Sequence, residues 1–296
     1  MKRSIWVHQF SQQSEQTPQE YANTLLPRGI TGVYVKAMDS YNWMSIFYDH
    51  PLAPRSPAHL KELTAEFMAV GLELIPWVVP RAVAAEAEAH AWCADRVIID
   101  WEYQYDGFWK GGSSEAWGYF DALREAKNAG QWIAVAPDPR QPGRDYGVSL
   151  IAGLSAYLPQ NYWTSFQRPW QQVMESAQAG MPDLLLQPIL PANGAPGDVV
   201  AANEWCAGLG VEAVSLWRMG TATAAELDAF GQRVPGEEAE EPDLVADCKI
   251  YKAALEKGVN RLQIELAKRT ASGKPAALSK PLIREIQSEL YQALQG

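Results

Sequence analysis

Two carboxylates one residue apart, Asp100 and Glu102, end the apolar run Val97-Ile98-Ile99. Side chains alternate along a strand, so Ile98, Asp100 and Glu102 share one face if the run is extended. Two acids held close together resist ionising at once unless hydrogen bonds support them, so one carboxyl is driven to keep its proton. A proton-holding carboxyl beside an ionised one is the equipment of general acid catalysis. The alternative is a pair of acids bound to neighbouring Arg or Lys. The chain also carries 12 tryptophans in 296 residues. Trp and Tyr present flat apolar faces with a polar edge, which sugars meet through their C–H surfaces. A Trp-rich core is the other reading.

The elements that must hold these carboxylates recur regularly. Strand-like runs are predicted at 5–10, 32–37, 72–79, 96–102, 131–136, 154–159, 184–189 and 213–217. Helical stretches fill the gaps at 18–26, 57–70, 82–93, 115–129, 170–179, 199–209 and 224–232. Gly71, Gly130, Gly180 and Gly210 stand where a helix must turn back into a strand. Eight strands alternating with helices imply parallel pairing with right-handed crossovers. Eight such units over about 235 residues match a closed (β/α)₈ TIM barrel, an α/β fold. A doubly wound open sheet is the runner-up, but no glycine-rich dinucleotide fingerprint follows the first strand. In a barrel, residues at the C-terminal strand ends face the mouth. Lys36, Trp77, Asp138 and Gln187 end other strands and are expected to line it as wall residues.

The segment Asp95-Arg96-Val97-Ile98-Ile99-Asp100-Trp101-Glu102-Tyr103 resembles the fourth-strand signature of family 18 glycoside hydrolases, the chitinases and their relatives. The resemblance implies that Glu102 protonates the glycosidic oxygen. It implies that Asp100 orients the substrate's own N-acetyl group, which attacks the anomeric carbon. The middle Asp of that signature is Ile98 here, so the deeper carboxylate with which the second Asp shares a proton is missing. Val214-Ser215-Leu216-Trp217 is similar to the family's last strand, which sets a Trp under the sugar; a barrel-core Trp is the other reading. Leu158-Pro159-Gln160-Asn161-Tyr162-Trp163 resembles a sixth-strand segment of barrel glycosidase-like proteins in which Gln160 and Tyr162 would face the sugar. Family 25 lysozymes are a second comparison. Gly32-Val33-Tyr34-Val35-Lys36-Ala37 resembles their second strand, but Trp6-Val7-His8-Gln9-Phe10 lacks the carboxylate they carry on the first.

Composition narrows the classes. The 47% apolar content is that of a globular protein. Cys93, Cys206 and Cys248 and four scattered histidines lack the spacing of a disulfide scaffold or a metal site. Neither a metal nor another cofactor is expected. Met1-Lys2-Arg3 precedes only a short apolar stretch broken by His8 and Gln9, so no secretory signal is read. The expected location is cytoplasmic, virion-associated or outside the cell without a cleaved leader. No apolar run is long enough to span a membrane.

The net charge is −10. Residues 244–296 hold nine basic and five acidic residues, net +4; residues 1–243 hold sixteen and thirty, net −14. An acidic body argues against nucleic acid as a partner. Residues 236–243 read as an acidic linker after a barrel over 1–235. Beyond it, Leu244, Cys248, Tyr251, Leu255, Val259, Leu262 and Leu266 form one helical stripe. A second helix follows Ser279. This two-helix extension over 244–296 is expected to self-associate or to bind an assembly partner. The expectation is therefore a glycoside hydrolase acting on peptidoglycan or a chitin-like polysaccharide. The alternatives are a non-catalytic glycan-binding barrel, or a structural component of a phage or cell-surface particle.

Overall fold

A computed structural model describes residues 1–102, 109–127, 131–139, 153–180, 185–192 and 195–234. The expectations for Tyr103, Gly130, the linker 236–243 and the helices of 244–296 lie outside the described residues.

The strands are β1 Lys2–Val7, β2 Gly32–Asp39, β3 Asn42–Trp43, β4 Glu73–Val79, β5 Arg96–Trp101, β6 Trp132–Pro137, β7 Ala156–Tyr157, β8 Leu185–Leu186, β9 Ile189–Pro191 and β10 Ala213–Trp217. The α-helices are α1 Pro18–Leu25, α2 Pro57–Ala69, α3 Glu86–Ala91, α4 Ser113–Ala126, α5 Trp163–Phe166, α6 Trp170–Gly180, α7 Pro196–Gly208 and α8 Ala224–Gly231. The sheet order is β8-β7-β6-β5-β4-β2-β1-β10-β9. β8 and β9 are two pieces of one segment: the first pairs with β7 and the second with β10, both parallel. The ring therefore closes on eight strands, the TIM-barrel arrangement, and β3 is a short antiparallel flap on β2.

Local chemistry explains the helix ends. Thr17 and Thr223 close capping boxes with Glu20 and Glu226, and Ser56 caps α2 just before Pro57. Gly71 and Gly210 take the left-handed conformation at φ +86 and +70 that returns the chain to a strand. Gly180 is instead the last residue of α6.

The strands sort their side chains by phase. Outward residues such as Val33, Val97, Ile99 and Val135 join Phe67, Tyr119 and Phe120 of the helices in one buried layer. Inward residues form a second cluster of Trp6, Tyr34, Ile75, Trp77, Val79, Ile98, Ala134, Ala136, Ala156, Leu158 and Ile189. The alanines on β6 and β7 leave room for the indoles from β1 and β4, as close packing demands. Gly32 packs closely against β1 near the bottom of the ring: a Cβ there would collide with the Ser4 side chain.

The first strand is Lys2–Val7, not 5–10. Its register is set by parallel partners on both sides, Ser4 opposite Ser215 and Gly32, and the chain turns into a short 3₁₀ segment at Phe10–Gln12. Among the described residues, no helix is long and apolar enough to cross a membrane.

Candidate active site

Ile98 is fully buried inside the ring. By alternation Asp100 and then Glu102, the first residue beyond β5, follow it on the inward phase toward the C-terminal edge. Trp101 points the other way. It wedges between the sheet and α4, with ring centroids 4.8 Å from both Trp109 and Phe120. The aromatic of the signature is therefore a core residue. Trp6 and Trp77 are likewise buried at 1% exposure, so much of the tryptophan excess fills the interior.

Asp100 is 5% exposed. Its Oδ1 accepts a hydrogen bond from Gln160 Nε2 at 2.8 Å, and the same amide donates to the Ala136 carbonyl at 3.0 Å. Burial pushes the Asp100 carboxyl up to about 7, against the opposing pull of Lys36, Arg81 and the Gln160 hydrogen bond. Asp100 can thus hold or release a proton near neutral pH. Tyr162 stands in the same field. Burial raises its hydroxyl well above the ordinary value, and Asp100, Glu102 and Asp138 add to the effect.

A charged cluster fills the side of the mouth above β2 and β4. Lys36 pairs with Trp77, and the register then shifts before Met38 pairs with Val78 and Asp39 with Val79. This one-residue bulge turns Asp39 into the inward phase. Lys36 Nζ donates to Asp39 Oδ2 at 2.9 Å, and Arg81 grips both carboxylate oxygens at 2.5 Å. Burial works against the Asp39 carboxylate, but the hydrogen bonds from Arg81 and Lys36 prevail and hold it below the usual range. The Lys36 ammonium also lies 5.4 Å from the centre of the Trp77 ring. His8 stacks on Trp77 at 6.1 Å, and burial, then Lys36 and Arg218, push its pKa down to about 4. It is neutral at pH 7.

The other wall is aromatic. Trp217 ends β10, partly open to the mouth, in edge contact with Trp6 and Trp77 at 5.6 and 5.8 Å. Tyr162 lies 6.1 Å from it at a tilt of 34°. Trp6 Nε1 donates to Ser215 Oγ at 2.9 Å, which fixes the indole beneath. The Trp217–Arg218 peptide is cis, and the Arg218 guanidinium sits 5.7 Å from the Trp217 ring.

The structure thus brings Asp100 into contact with Gln160, and sets Glu102, Asp138 and Tyr162 in one electrostatic neighbourhood. Trp217 packs beside Tyr162, while Lys36 and Trp77 stand together on the opposite strands. Gln187, between β8 and β9, is buried with its backbone N–H on the Tyr157 carbonyl at 2.9 Å. Asp39, Arg81, His8 and Arg218 were not legible as site residues. The bulge that turns Asp39 inward has no sequence signal, and the other three lie just past strand ends. Among the described residues, no three His, Cys, Asp or Glu side chains are grouped to hold a metal ion.

No protein-family model and no curated protein matches the sequence. Solved structures do match the fold. An endo-β-1,4-mannanase from Thermotoga petrophila superposes with a TM-score of 0.56 at 10% identity, over 81% of this chain and 78% of its own. A chitinase from Rhizomucor miehei gives 0.52 at 9%, over 78% and 99%. A family 18 chitinase from Flavobacterium johnsoniae gives 0.51 at 9%, over 78% and 92%. At these identities the likeness is one of fold: the chain shares its barrel with glycoside hydrolases.

Proposed function

We propose that the barrel is a glycoside hydrolase for an N-acetylhexosamine polysaccharide, peptidoglycan or chitin-like, with Glu102 as general acid and Asp100 assisting. The observation that carries this reading is the pair of inward-phase carboxylates at the C-terminal edge of one barrel strand, with Asp100 buried on the Gln160 amide. The names of the similar structures, chitinase and mannanase, support a polysaccharide as the ligand class. The N-acetyl requirement rests on the resemblance of residues 95–103.

In this reading Glu102 gives its proton to the glycosidic oxygen as the bond to the anomeric carbon breaks. The sugar's acetamide oxygen attacks that carbon, while its N–H donates to Asp100. Water then opens the cyclic intermediate, and the Glu102 carboxylate takes the proton back. Trp217 offers the sugar an indole face, and Tyr162, Gln160, Gln187, Lys36, Trp77 and Asp138 shape the walls around it. Residues 236–243 serve as a linker, and 244–296 serve self-association or an assembly partner.

Glu102→Gln should retain the fold and lose about 10²–10⁴-fold in turnover, the worth of general acid catalysis. Unchanged cleavage of chitin or peptidoglycan by that variant removes Glu102 from the mechanism. Ile98 supports a second reading, a glycan-binding barrel without turnover, because it fills with methyl groups the position of a carboxylate in the resembling signature. Wild-type protein that binds these polymers and never cleaves them decides for it.

A further inference from the structure

We propose that Lys36 is the positioning residue of this site: its ammonium, paired with Asp39, also sets the charge state of Asp100, a control that the carboxylate replaced by Ile98 cannot exert here. The inference rests on the hydrolase reading for its catalytic consequence, but not for its electrostatics. Lys36, Trp77, Ile98 and Ala134 form one row across four neighbouring strands, paired in turn. In the next row up, Asp39 pairs with Val79 and Asp100 with Ala136. The Lys36 side chain is 6% exposed, so its charge is screened little by water.

Two cations, Lys36 and Arg81, converge on the single Asp39 carboxylate, and Arg81 alone takes both of its oxygens. Lys36 therefore shares Asp39 with a second cation. Asp100 is the next carboxylate on this wall, and Lys36 is the charge that acts on it most strongly, ahead of Arg81 and Asp39. A second carboxylate at position 98 would have handed Asp100 a proton. An ammonium instead favours the ionised form, which is the form that accepts an acetamide N–H.

The groups facing this part of the mouth are His8 beyond β1, Lys36 and Asp39 on β2, Arg81 beyond β4, and Glu102 beyond β5. Among the described residues, Asp138 beyond β6, Tyr162 beyond β7, Arg218 beyond β10 and the buried Glu86 behind Arg81 join them. His8 is neutral at pH 7 and Tyr162 stays protonated.

Opposite signs make the test specific. An opposite charge nearby lowers a carboxyl pKa by about 1–3 pH units. Lys36→Met should therefore raise the Asp100 midpoint by about that much, followed by carboxyl-carbon NMR of the full chain labelled at aspartate, with Asp100→Asn identifying the resonance. Asp39→Asn should lower it, because a negative charge that opposes ionisation of Asp100 is removed. Lys36→Arg should restore it. The Arg81 fork keeps Asp39 paired in Lys36→Met, so the fold survives; should that variant unfold, Asp39→Asn and Lys36→Arg still carry the sign test. The acid limb of any glycan cleavage should move with the midpoint. An Asp100 midpoint that ignores both charge changes, or moves the same way in both, overturns the proposal. Midpoints that move as stated in a protein that cleaves no glycan uphold the electrostatics and sink the hydrolase reading alone.

Discussion

The buried Asp100 carboxyl makes a direct prediction about stability and pH. Burial lifts it from the ordinary aspartate value of 3.8 to about 7. Between those values the folded protein holds a proton that the unfolded chain has released. Stability therefore falls as pH rises through this window and levels off above about 7. The whole displacement corresponds to about 4 kcal/mol, and the part between pH 5 and pH 8.5 to about 3 kcal/mol. Asp100→Asn removes the titration and keeps an oxygen for the Gln160 amide, which donates to Oδ1 at 2.8 Å. Relative to wild type, the variant should gain about 3 kcal/mol on going from pH 5 to pH 8.5. Urea unfolding of both proteins at the two pH values measures this, and taking the difference cancels the histidines, whose own titration is common to both. A difference between the two proteins that stays constant with pH, or that favours wild type at pH 8.5, would show that Asp100 is ionised in the folded state and refute the argument from burial.

Two further outcomes follow from packing and from domain division. Gly32→Ala should destabilise the barrel by about 1–3 kcal/mol, the range for overpacking, because its Cβ would collide with Ser4 Oγ; Ser4→Gly in the same chain should restore much of the loss, and thermal melts with no such rescue would place the strain elsewhere. A chain ending after residue 235 should stay soluble and melt cooperatively, and a molten truncate contradicts that division; light scattering of the full and truncated chains then decides whether 244–296 self-associates, a monomeric full chain leaving the assembly partner as the reading.

The barrel was legible because its signals are local and repeated. Alternation at Ile98, Asp100 and Glu102 gave the inward phase directly, and the same rule sent Trp101 outward into a core of Trp109, Tyr119 and Phe120. Strand ends were harder to read. At the first strand, the apolar run through Phe10 suggested extension, but pairing of Ser4 with both Ser215 and Gly32 moved the strand toward the N-terminus. Those partners lie far away in sequence, so no local pattern contains the register. The charged half of the mouth was hidden for a related reason. A period-two reading of β2 sends Asp39 away from Lys36, and only the bulge between Lys36 and Met38 brings the two inward together. Once that extra residue is in the strand, Asp39 recruits Arg81 from beyond β4, and the wall beside Asp100 becomes positive. The residue at position 98 and the bulge on β2 are then two sides of one design. A site without its inner carboxylate needs another source of charge control over Asp100, and the irregular strand supplies it from two strands away on the same wall.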